Sequence, residues 1–261
     1  MSVEINPITR AANPHAAGMR TAFDKLRAFS KINPNLFRPL AQTMLTGERA
    51  TGAASEFNEY CARESFEFTY DHVSINVPFV LPLLSRFAKR HGDKTIRYLE
   101  IGAYEGRNLV FMDWLLPRRL DVTVIDTWFD ELHNPDENYH AIEDRFHGNM
   151  RRTRIKSITV KKSLSSAALP LIKASGEKFD LIYVDGSHAA LDVLIDLCFC
   201  ASLLKTGGMM ILDDYWHDNI EISGPGVKQA VDHFLSVFGR YFAVCAVYRQ
   251  VVLVKTEEVP R

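Results

Sequence analysis

Two acidic sites in the sequence each follow an apolar run directly, and both are candidates for chemistry. The run FDLIYV ends at Asp185, with His188 three residues further on, and the run MMIL ends at the pair Asp213 and Asp214. A carboxylate and an imidazole at this spacing can hold a cation or move a proton. The same residue types also occur in plain tight turns and helix caps, so the interpretation depends on whether the two runs are neighbouring strands.

A glycine turn follows an earlier apolar run, in the segment LEIGAYEG. It contains Glu100, Gly102 and Gly106, and its G-x-x-x-G spacing differs from the G-x-G-x-x-G of dinucleotide-binding folds. No lysine followed by Ser or Thr comes after Gly106, so a phosphate-binding loop is excluded. A glycine turn after a carboxylate suits a ligand with an amino group and no phosphate. The alternative is a strand-to-helix turn that needs glycine only for its backbone.

A third candidate, Asp126, ends the run DVTVID and follows Gly102 by 24 residues. An acidic residue placed in this way can accept hydrogen bonds from both hydroxyls of a ribose. The alternative is an Asx turn or a helix N-cap. Together with the glycine turn, the spacing favours a nucleoside ligand.

The candidates end strands in a regular alternation of strands and helices that begins near residue 78. The predicted strands are 96–102, 121–126, 157–162, 179–185, 209–214, 241–248 and 251–256. Near-continuous apolar strands that alternate with helices indicate a parallel sheet covered on both faces. Only Arg249 and Gln250 separate the last two strands, which are therefore antiparallel. We predict an α/β, Rossmann-like doubly wound fold with a mostly parallel seven-stranded sheet, an antiparallel last strand and a helical N-terminal extension.

In such a sheet the strands that end at Asp185 and at Asp213–Asp214 are neighbours, so three carboxylates converge at one edge. Carboxylates that close together repel one another, and a hard divalent cation such as Mg²⁺ or Ca²⁺ relieves the repulsion. The alternative is that Asp213 and Asp214 cap the following loop in solvent. His188 is expected on the opening turn of the next helix, where it serves as a general base or as a helix cap.

The N-terminal part of the chain has a different pattern. Helical spacing there is interrupted by prolines, and too few apolar residues cluster to form a separate core. We therefore divide the chain into a helical extension or lid at residues 1–70 and an α/β domain at residues 71–261.

Composition limits the classes of partner. The net charge of -1 argues against a nucleic-acid partner. No run of apolar residues approaches the length of a membrane span. The N-terminus lacks an apolar signal core, and four scattered cysteines are typical of a reducing compartment. We expect a cytoplasmic protein without a membrane partner.

The segments YLEIGAYEGRN, VTVIDTW, DLIYVDGSHAALDVLIDL and LLKTGGMMILDDYW resemble the class I S-adenosylmethionine-dependent methyltransferases. Within that family they are similar to the macrocin O-methyltransferase-like branch. The resemblance covers residues 71–255, and the combination of DGSH with LLKTGGMMILDDY is its most specific part. It makes residues 71–261 an S-adenosylmethionine-binding methyltransferase domain.

The resemblance implies a role for each matching residue. Asp185, Asp213 and Asp214 are implied as metal ligands, with His188 and Asp185 as the catalytic residues. Glu100 is expected near the methionine amino group, Asp126 at the ribose hydroxyls and Thr127–Trp128 beside the adenosine. The implied cofactor-binding residues are Glu100, Gly102, Ala103, Tyr104, Gly106, Asp126, Thr127, Trp128, Ser163, Leu164, Asp185, His72 and Asn76.

Three segments are less clearly matched. KKSLSSAAL departs from the family's glycine-containing pattern, which leaves the adenine contact open among Lys162, Ser163 and Leu164. His72, Ser74 and Asn76 lie in YDHVSINVP, which resembles a segment that folds over the cofactor or else forms a plain helix entrance. The loop after Asp214 carries three candidate acceptor contacts, Trp216, His217 and Asn219.

The implied function is methyl transfer from S-adenosylmethionine, assisted by Mg²⁺ or another divalent cation, to a hydroxyl on a small molecule such as a sugar or secondary metabolite. Alternatives are a metal-independent N- or C-methyltransferase, an iron oxygenase related to the cephalosporin hydroxylases, and a non-catalytic nucleoside-binding protein. Residues 1–70 and 129–150 are expected to shape the acceptor pocket. The acceptor's identity and the oligomeric state, with a homodimer or larger homo-oligomer among the possibilities, are left open.

Overall fold

The computed structural model describes residues 51–129, 138–215 and 226–260. Most of the expected N-terminal extension lies outside these ranges, as do residues 130–137 and the candidate acceptor contacts Trp216, His217 and Asn219. None of the described helices is long and apolar enough to cross a bilayer.

One seven-stranded sheet runs through the molecule in the order β3-β2-β1-β4-β5-β7-β6. Strands β1 to β5 are parallel neighbours, and β7 lies antiparallel between β5 and β6. The predicted Rossmann-like sheet with its antiparallel last strand is therefore confirmed. The strands are β1 (Ile96–Ile101), β2 (Leu120–Asp126), β3 (Ser157–Lys162), β4 (Phe179–Val184), β5 (Leu204–Leu212), β6 (Phe242–Val247) and β7 (Val251–Lys255).

Helices cover both faces of this sheet. On one face α1 packs on α2 and α3, and on the other α6 packs between α5 and α7. The described helices are α1 (Thr51–Arg63), α2 (Val77–His91), α3 (Arg107–Leu115), α4 (Tyr139–Met150), α5 (Ser165–Ala174), α6 (Ala190–Leu203) and α7 (Val227–Phe238), and a 3₁₀ turn (Gly239–Tyr241) precedes β6.

The apolar content of each strand follows its place in the sheet. Every residue of the central strand β4 is buried, whereas the edge strand β3 has no buried residue and carries the alternating sequence SITVKK. A strand covered on both faces takes mostly apolar side chains, with Asp180 as the exception in β4, and an edge strand does not. The continuous apolar runs of the sequence therefore mark the middle of the sheet.

Helix α1 contributes to the main core of the described residues. Phe57 is fully buried, and its ring lies 5.3 Å from that of Phe111 and 5.7 Å from that of Trp114 on α3. This part of the expected extension is helical and packed on the sheet's helical layer. The division at residue 70 stays a prediction.

The strands end slightly earlier than their sequence patterns predict. The predicted strands include Gly102, Asp185 and Asp214, but the observed strands end at Ile101, Val184 and Leu212. The candidate residues therefore lie on the loops that leave the carboxyl ends of β1, β4 and β5, which is where open α/β sheets bind their ligands.

Candidate active site

Gly102 brings the loops after β1 and β4 into contact. Its N–H donates to the carbonyl of Ile125 at 2.9 Å, and the N–H of Asp185 donates to the carbonyl of Ile101 at 2.8 Å. The φ of Gly102 is +80°, and a Cβ there would lie 1.8 Å from the carbonyl oxygen of Asp185. Only glycine fits, because any side chain would displace the backbone that carries Asp185.

Glu100 lies one residue before the end of β1 and is fully buried. Its Oε2 accepts hydrogen bonds from the hydroxyl of Tyr98 and from Asn108 Nδ2, the latter at 3.0 Å, while its Oε1 is buried and has no partner within the described part of the chain. Burial is the main cause that raises the pKa of this carboxyl, to about 8. Glu100 is thus a carboxyl with one acceptor oxygen left over.

Asp126, at the end of β2, holds the glycine turn in place. One of its oxygens accepts from the N–H of Ala103 at 2.6 Å and of Tyr104 at 3.0 Å, and the other accepts from the N–H of Trp128 at 2.7 Å. Oδ2 thus has both lone pairs in use, and Oδ1 keeps one that can accept from a ribose hydroxyl. The bond from Trp128 N–H, two residues further on, is the Asx turn given above as the alternative, whereas the bonds to the glycine turn were not indicated by the sequence pattern.

The residues after Asp126 differ in exposure. The indole of Trp128 is buried, donates to the carbonyl of Tyr104 at 2.8 Å and packs on Phe146 with ring centroids 4.8 Å apart. Phe129 is 62 % exposed. Of the two rings, Phe129 is therefore the one exposed to a ligand, and the sequence analysis did not name it because VTVIDTW ends one residue before it. The contact of Trp128 with the adenosine stays a prediction.

The other predicted cofactor contacts lie around the same edge. The N–H of Ser163 donates to the carbonyl of Asp126 at 3.0 Å, and Leu164 is 64 % exposed. The ring of His72 lies edge-on to that of Tyr104 at 6.1 Å. The structure thus brings the predicted segments around residues 72, 104 and 163 to one side of the sheet edge.

A network that we did not predict joins the glycine turn to α4. Glu105 is almost fully buried and accepts hydrogen bonds from the hydroxyl of Thr69 at 2.6 Å and from Arg145. Asn149 donates to the carbonyls of Glu67 and Glu105, both at 2.8 Å. The segment before α2 is therefore fixed to the cofactor turn, although no sequence spacing relates Glu105 to Arg145.

Asp185, His188 and Asp214 meet at the ends of β4 and β5. One ligand atom from each lies within 4.8 Å of the others, and His188 Nε2 is 2.9 Å from Asp214 Oδ2. His188 lies in the turn before α6 rather than in its opening turn, because the helix begins at Ala190. This grouping has two carboxylates and one imidazole, a donor set able to hold a divalent cation.

The side-chain partners of the Asp213 carboxylate lie outside the group of Asp185, His188 and Asp214. Its Oδ2 accepts from the hydroxyl of Tyr183 and from Gln250 Nε2 at 2.9 Å, and its Oδ1 accepts from the N–H of Asp214 at 2.8 Å. In this geometry the grouped ligand atoms belong to Asp185, His188 and Asp214, while hydrogen-bond donors hold the Asp213 carboxylate. The ligand set of Asp185, Asp213 and Asp214 stays a prediction.

The charges at this edge act on one another. Burial raises the pKa of Asp185 well above its usual range, and the nearby carboxylates of Asp213 and Asp214 raise it further. Burial and then Asp214 raise the pKa of Asp213 to about 6. A bound cation would relieve this repulsion, so the residues present fit a divalent metal.

Backbone strain concentrates at the same place. Tyr104, Trp128 and Asp214 have φ values of 49°, 47° and 55°, in the left-handed region that non-glycine residues rarely adopt. Such conformations cost on the order of 1–3 kcal/mol each and persist where the surrounding contacts enforce them. Three strained residues at one edge of the sheet indicate loops shaped for a ligand.

Comparison with known proteins identifies the type of domain. The family model described as a methyltransferase domain matches residues 99–215, the stretch from β1 to the loop after β5. No curated protein sequence matches the chain.

Solved structures with the same fold include two methyltransferases and one cofactor-bound protein. The MycE methyltransferase of the mycinamycin biosynthetic pathway, in complex with Mg, SAH and mycinamycin VI, has a TM-score of 0.50 and 18 % identity over 77 % of this chain and 55 % of that one. An O-methyltransferase from Bacillus cereus in complex with SAH has a TM-score of 0.51 and 15 % identity over 84 % and 99 % of the two chains. Cofactor-bound Rv0187 from MTB has a TM-score of 0.51 and 16 % identity over 81 % and 90 %.

The present chain spans about half the length of MycE. At these identities the structural likeness establishes the fold, and the family model relates residues 99–215 to a methyltransferase domain. The predicted Rossmann-like fold is therefore confirmed, while the methyltransferase domain at residues 71–261 stays a prediction. The macrocin O-methyltransferase-like branch stays a prediction.

Proposed function

We propose that this protein transfers a methyl group from S-adenosylmethionine to a hydroxyl of a small molecule, with the help of a divalent cation. The observation that carries the proposal is the cluster of Asp185, His188 and Asp214, whose ligand atoms lie within 4.8 Å of one another beside the Gly102 turn. One edge of the sheet thus combines a turn suited to the cofactor with groups suited to a hydroxyl acceptor.

The cofactor's methionine end is assigned to the glycine turn. Glu100 keeps an unpartnered, buried Oε1, which can accept a hydrogen bond from the ammonium group of the cofactor. The turn itself is held by Asp126 through the N–H groups of Ala103 and Tyr104. The ribose is assigned to the remaining lone pair of Asp126 Oδ1, and the adenine to the exposed side chains of Phe129 and Leu164.

The metal is assigned to the carboxylates of Asp185 and Asp214. Mg²⁺ prefers oxygen ligands and keeps several waters, so two carboxylates are a sufficient protein contribution. When bound, a divalent cation supplies positive charge that fixes an acceptor hydroxyl and lowers its pKa. The Mg in the MycE complex is support from a protein of the same fold.

His188 is assigned as the general base. Its Nε2 lies 2.9 Å from Asp214 Oδ2, and a carboxylate partner orients an imidazole and stabilises its protonated form. The acceptor oxygen forms a bond to the methyl carbon, the carbon–sulfur bond breaks with its electron pair on sulfur, and the hydroxyl proton passes to the imidazole. In-line alignment of this kind can contribute about 7–11 kcal/mol to lowering the barrier in favourable cases.

The test is a methyl-transfer assay that measures SAH release over a panel of sugars, catechols and other polyhydroxylated acceptors, with Mg²⁺ or with a chelator. We expect release that depends on the acceptor, is lost with the chelator and returns on adding Mg²⁺. Transfer that persists at full rate with the chelator would instead support the metal-independent methyltransferase.

A His188→Ala variant separates the two roles open to the imidazole. As a base, its loss lowers the transfer rate by about 10²–10⁴-fold and leaves the Mg²⁺ affinity nearly unchanged. If His188 is a metal ligand, its loss weakens Mg²⁺ binding, and the affinity for Mg²⁺ and the transfer rate fall by similar factors.

We propose a small-molecule acceptor and a cytoplasmic location on the sequence arguments given above.

A further inference from the structure

The β6–β7 hairpin contributes a side chain to the surroundings of the candidate cation site. The N–H of Tyr215 donates to the carbonyl of Arg249 at 2.8 Å, so the tip of the hairpin lies against the loop that carries Asp213 and Asp214. Gln250, the last residue of the tip, is only 5 % exposed and directs its amide toward Asp213. A contact between residues 37 positions apart thus joins the hairpin to the loop after β5.

Gln250 and Tyr183 hold the same oxygen of the Asp213 carboxylate. Gln250 Nε2 donates to Asp213 Oδ2 at 2.9 Å and to the hydroxyl of Tyr183 at 2.7 Å, and that hydroxyl also donates to Asp213 Oδ2. Exchanging the amide nitrogen and oxygen of Gln250 would bring two acceptors against each other, so the orientation of the amide is fixed. Tyr183 and Gln250 are both buried, and together with Asp213 they form a closed triangle of hydrogen bonds.

The other oxygen of Asp213 acts on Asp214. Asp213 Oδ1 accepts a hydrogen bond from the N–H of Asp214 at 2.8 Å. The φ of Asp214 is 55°, in the left-handed region that a non-glycine residue keeps only where its contacts enforce it. This bond is one of those contacts, and the carboxylate of Asp214 lies 2.9 Å from His188 Nε2. The two donors therefore act on Asp214 through the carboxylate of Asp213.

We propose that Tyr183 and Gln250 are positioning residues of the cation site, which act through Asp213. The inference rests on the proposed function, in which Asp214 is a ligand of the divalent cation. Hydrogen-bond partners that orient the groups of a metal site fix their direction, and the loss of such a partner weakens metal binding by about 10- to 100-fold. Without its two donors the carboxylate of Asp213 can turn, and Asp214 loses a contact that fixes its backbone.

Two variants of the full chain remove one donor each. Tyr183→Phe deletes the hydroxyl group, and Gln250→Met keeps the length of the side chain without its amide. Tyr98→Phe is the matched control, because Tyr98 is a buried tyrosine on β1 whose hydroxyl bonds to Glu100 instead of Asp213. The control removes the same group from the other side of the sheet edge and leaves the three-residue triangle intact.

The first measurement is the amide hydrogen exchange of Asp214, followed by NMR without metal or cofactor. Tyr183→Phe and Gln250→Met are each expected to raise the exchange rate of the Asp214 N–H at least tenfold, whereas Tyr98→Phe should leave it within twofold. The N–H of Gly102, which donates to the carbonyl of Ile125 at 2.9 Å, reports general opening and should keep its rate in both variants. An unchanged rate at Asp214, or an equal rise at Gly102, would overturn the proposal.

The second measurement is the dissociation constant of Mg²⁺, obtained by calorimetry without SAH. Tyr183→Phe and Gln250→Met are each expected to weaken Mg²⁺ at least fivefold, and Tyr98→Phe should leave it within twofold. In an Asp213→Ala background, Gln250→Met should add less than twofold, because its route to Asp214 is already cut. Unchanged affinity, or tighter binding because the released Asp213 carboxylate joins the cation, would contradict the proposal, as would a full loss that persists in the Asp213→Ala background.

The failure of this inference can be told from the failure of the proposed function. A native protein that binds no Mg²⁺ loses the metal-assisted function and, with it, the role of Tyr183 and Gln250. A native protein that binds Mg²⁺, with variants that bind it equally well, retains the proposed function and loses only the positioning role.

Discussion

Aspartates at the two halves of the sheet edge have different partners: backbone N–H groups on the β1–β2 side, and other side chains on the β4–β5 side. At the end of β2, the carboxylate of Asp126 accepts three backbone N–H bonds, which hold the loops after β1 and β2 together. At the ends of β4 and β5, Asp185 and Asp214 instead meet each other and His188. The first carboxylate is held by backbone N–H groups, and the second pair belongs to the proposed cation site.

The contrast shows how one topology builds two kinds of site. Backbone N–H groups stabilise a charged carboxylate and make the β1–β2 side a rigid cradle. Burial and then the carboxylates of Asp213 and Asp214 raise the pKa of Asp185, which makes the β4–β5 side responsive to protons. Gly102 is where the two sides touch, since its Cα packs against the backbone of Asp185.

The largest expected loss of stability comes from a substitution that pushes the loop after β1 away from the loop after β4. Gly102→Ala would place a Cβ 1.8 Å from the carbonyl oxygen of Asp185, so we expect a loss of more than about 4 kcal/mol in unfolding free energy or a failure to fold. Gly176→Ala is the matched control, because Gly176 has a φ of +77° and nothing within 4 Å of the added atom. Its cost should be about 1 kcal/mol, from backbone strain alone. Equal losses in urea unfolding would show that contact between the loops is unimportant.

The second prediction uses the pH dependence of Glu100. Because burial raises its pKa from 4.5 to about 8, the native state keeps a proton that the unfolded state loses between those values. This group's contribution is fully present below pH 4.5 and declines as the pH rises towards about 8. Glu100→Gln has no carboxyl to titrate, so its stability relative to the native protein should rise over that range, by up to about 4 kcal/mol.

Chemical denaturation at pH 5, 6.5 and 8 measures the difference. Glu257→Gln, at an exposed position near the C-terminus, serves as the control and should follow the native pH profile. A Glu100→Gln profile parallel to that of the native protein would mean that Glu100 titrates as an ordinary surface carboxyl.

The third prediction concerns the β4–β5 side. Mg²⁺ that binds the native state and not the unfolded state should stabilise the protein by about 2.7 kcal/mol at a hundredfold excess over its dissociation constant. Asp185→Asn should remove this response and should also unfold less readily than the native protein when no metal is present, because one repelling charge is gone. Asp144→Asn, an exposed carboxylate on α4, should respond to Mg²⁺ as the native protein does.

The smallest effect is expected at Asp126. Asp126→Asn keeps the shape but replaces one acceptor oxygen by a donor, which faces backbone N–H groups and costs about 1–2 kcal/mol. Asp121→Asn on the same strand loses only a half-exposed contact of 3.8 Å with Arg97 and should cost less than about 0.5 kcal/mol. Thermal unfolding of the two variants gives the comparison, and similar values would remove the distinction between a satisfied carboxylate and a surface one.

The sheet could be predicted from the sequence because a strand that helices cover on both faces is both buried and apolar in sequence. Strands covered on both faces are mostly apolar, so their ends could be located to within one or two residues, as at Ile101 and Val184. The glycine at 102 was identifiable for the same reason, since a turn this tight requires one.

The partners of the site residues could not be predicted in the same way. Asp213 and Asp214 are adjacent in the sequence, yet Tyr183 and Gln250 hold the carboxylate of Asp213 outside the grouping of Asp185, His188 and Asp214. Those contacts join strands that are distant along the chain, as does the contact between Glu105 and Arg145. Only the packed structure determines which of two neighbouring carboxylates turns toward the ligand.

Under the proposed function, the two sides of this edge bind S-adenosylmethionine and a divalent cation together. Calorimetric titration of the full chain with SAH, with and without Mg²⁺, tests it most directly. We predict saturable binding at one site per chain in both conditions, with affinity equal or higher when Mg²⁺ is present. The absence of SAH binding in both conditions would contradict the claim.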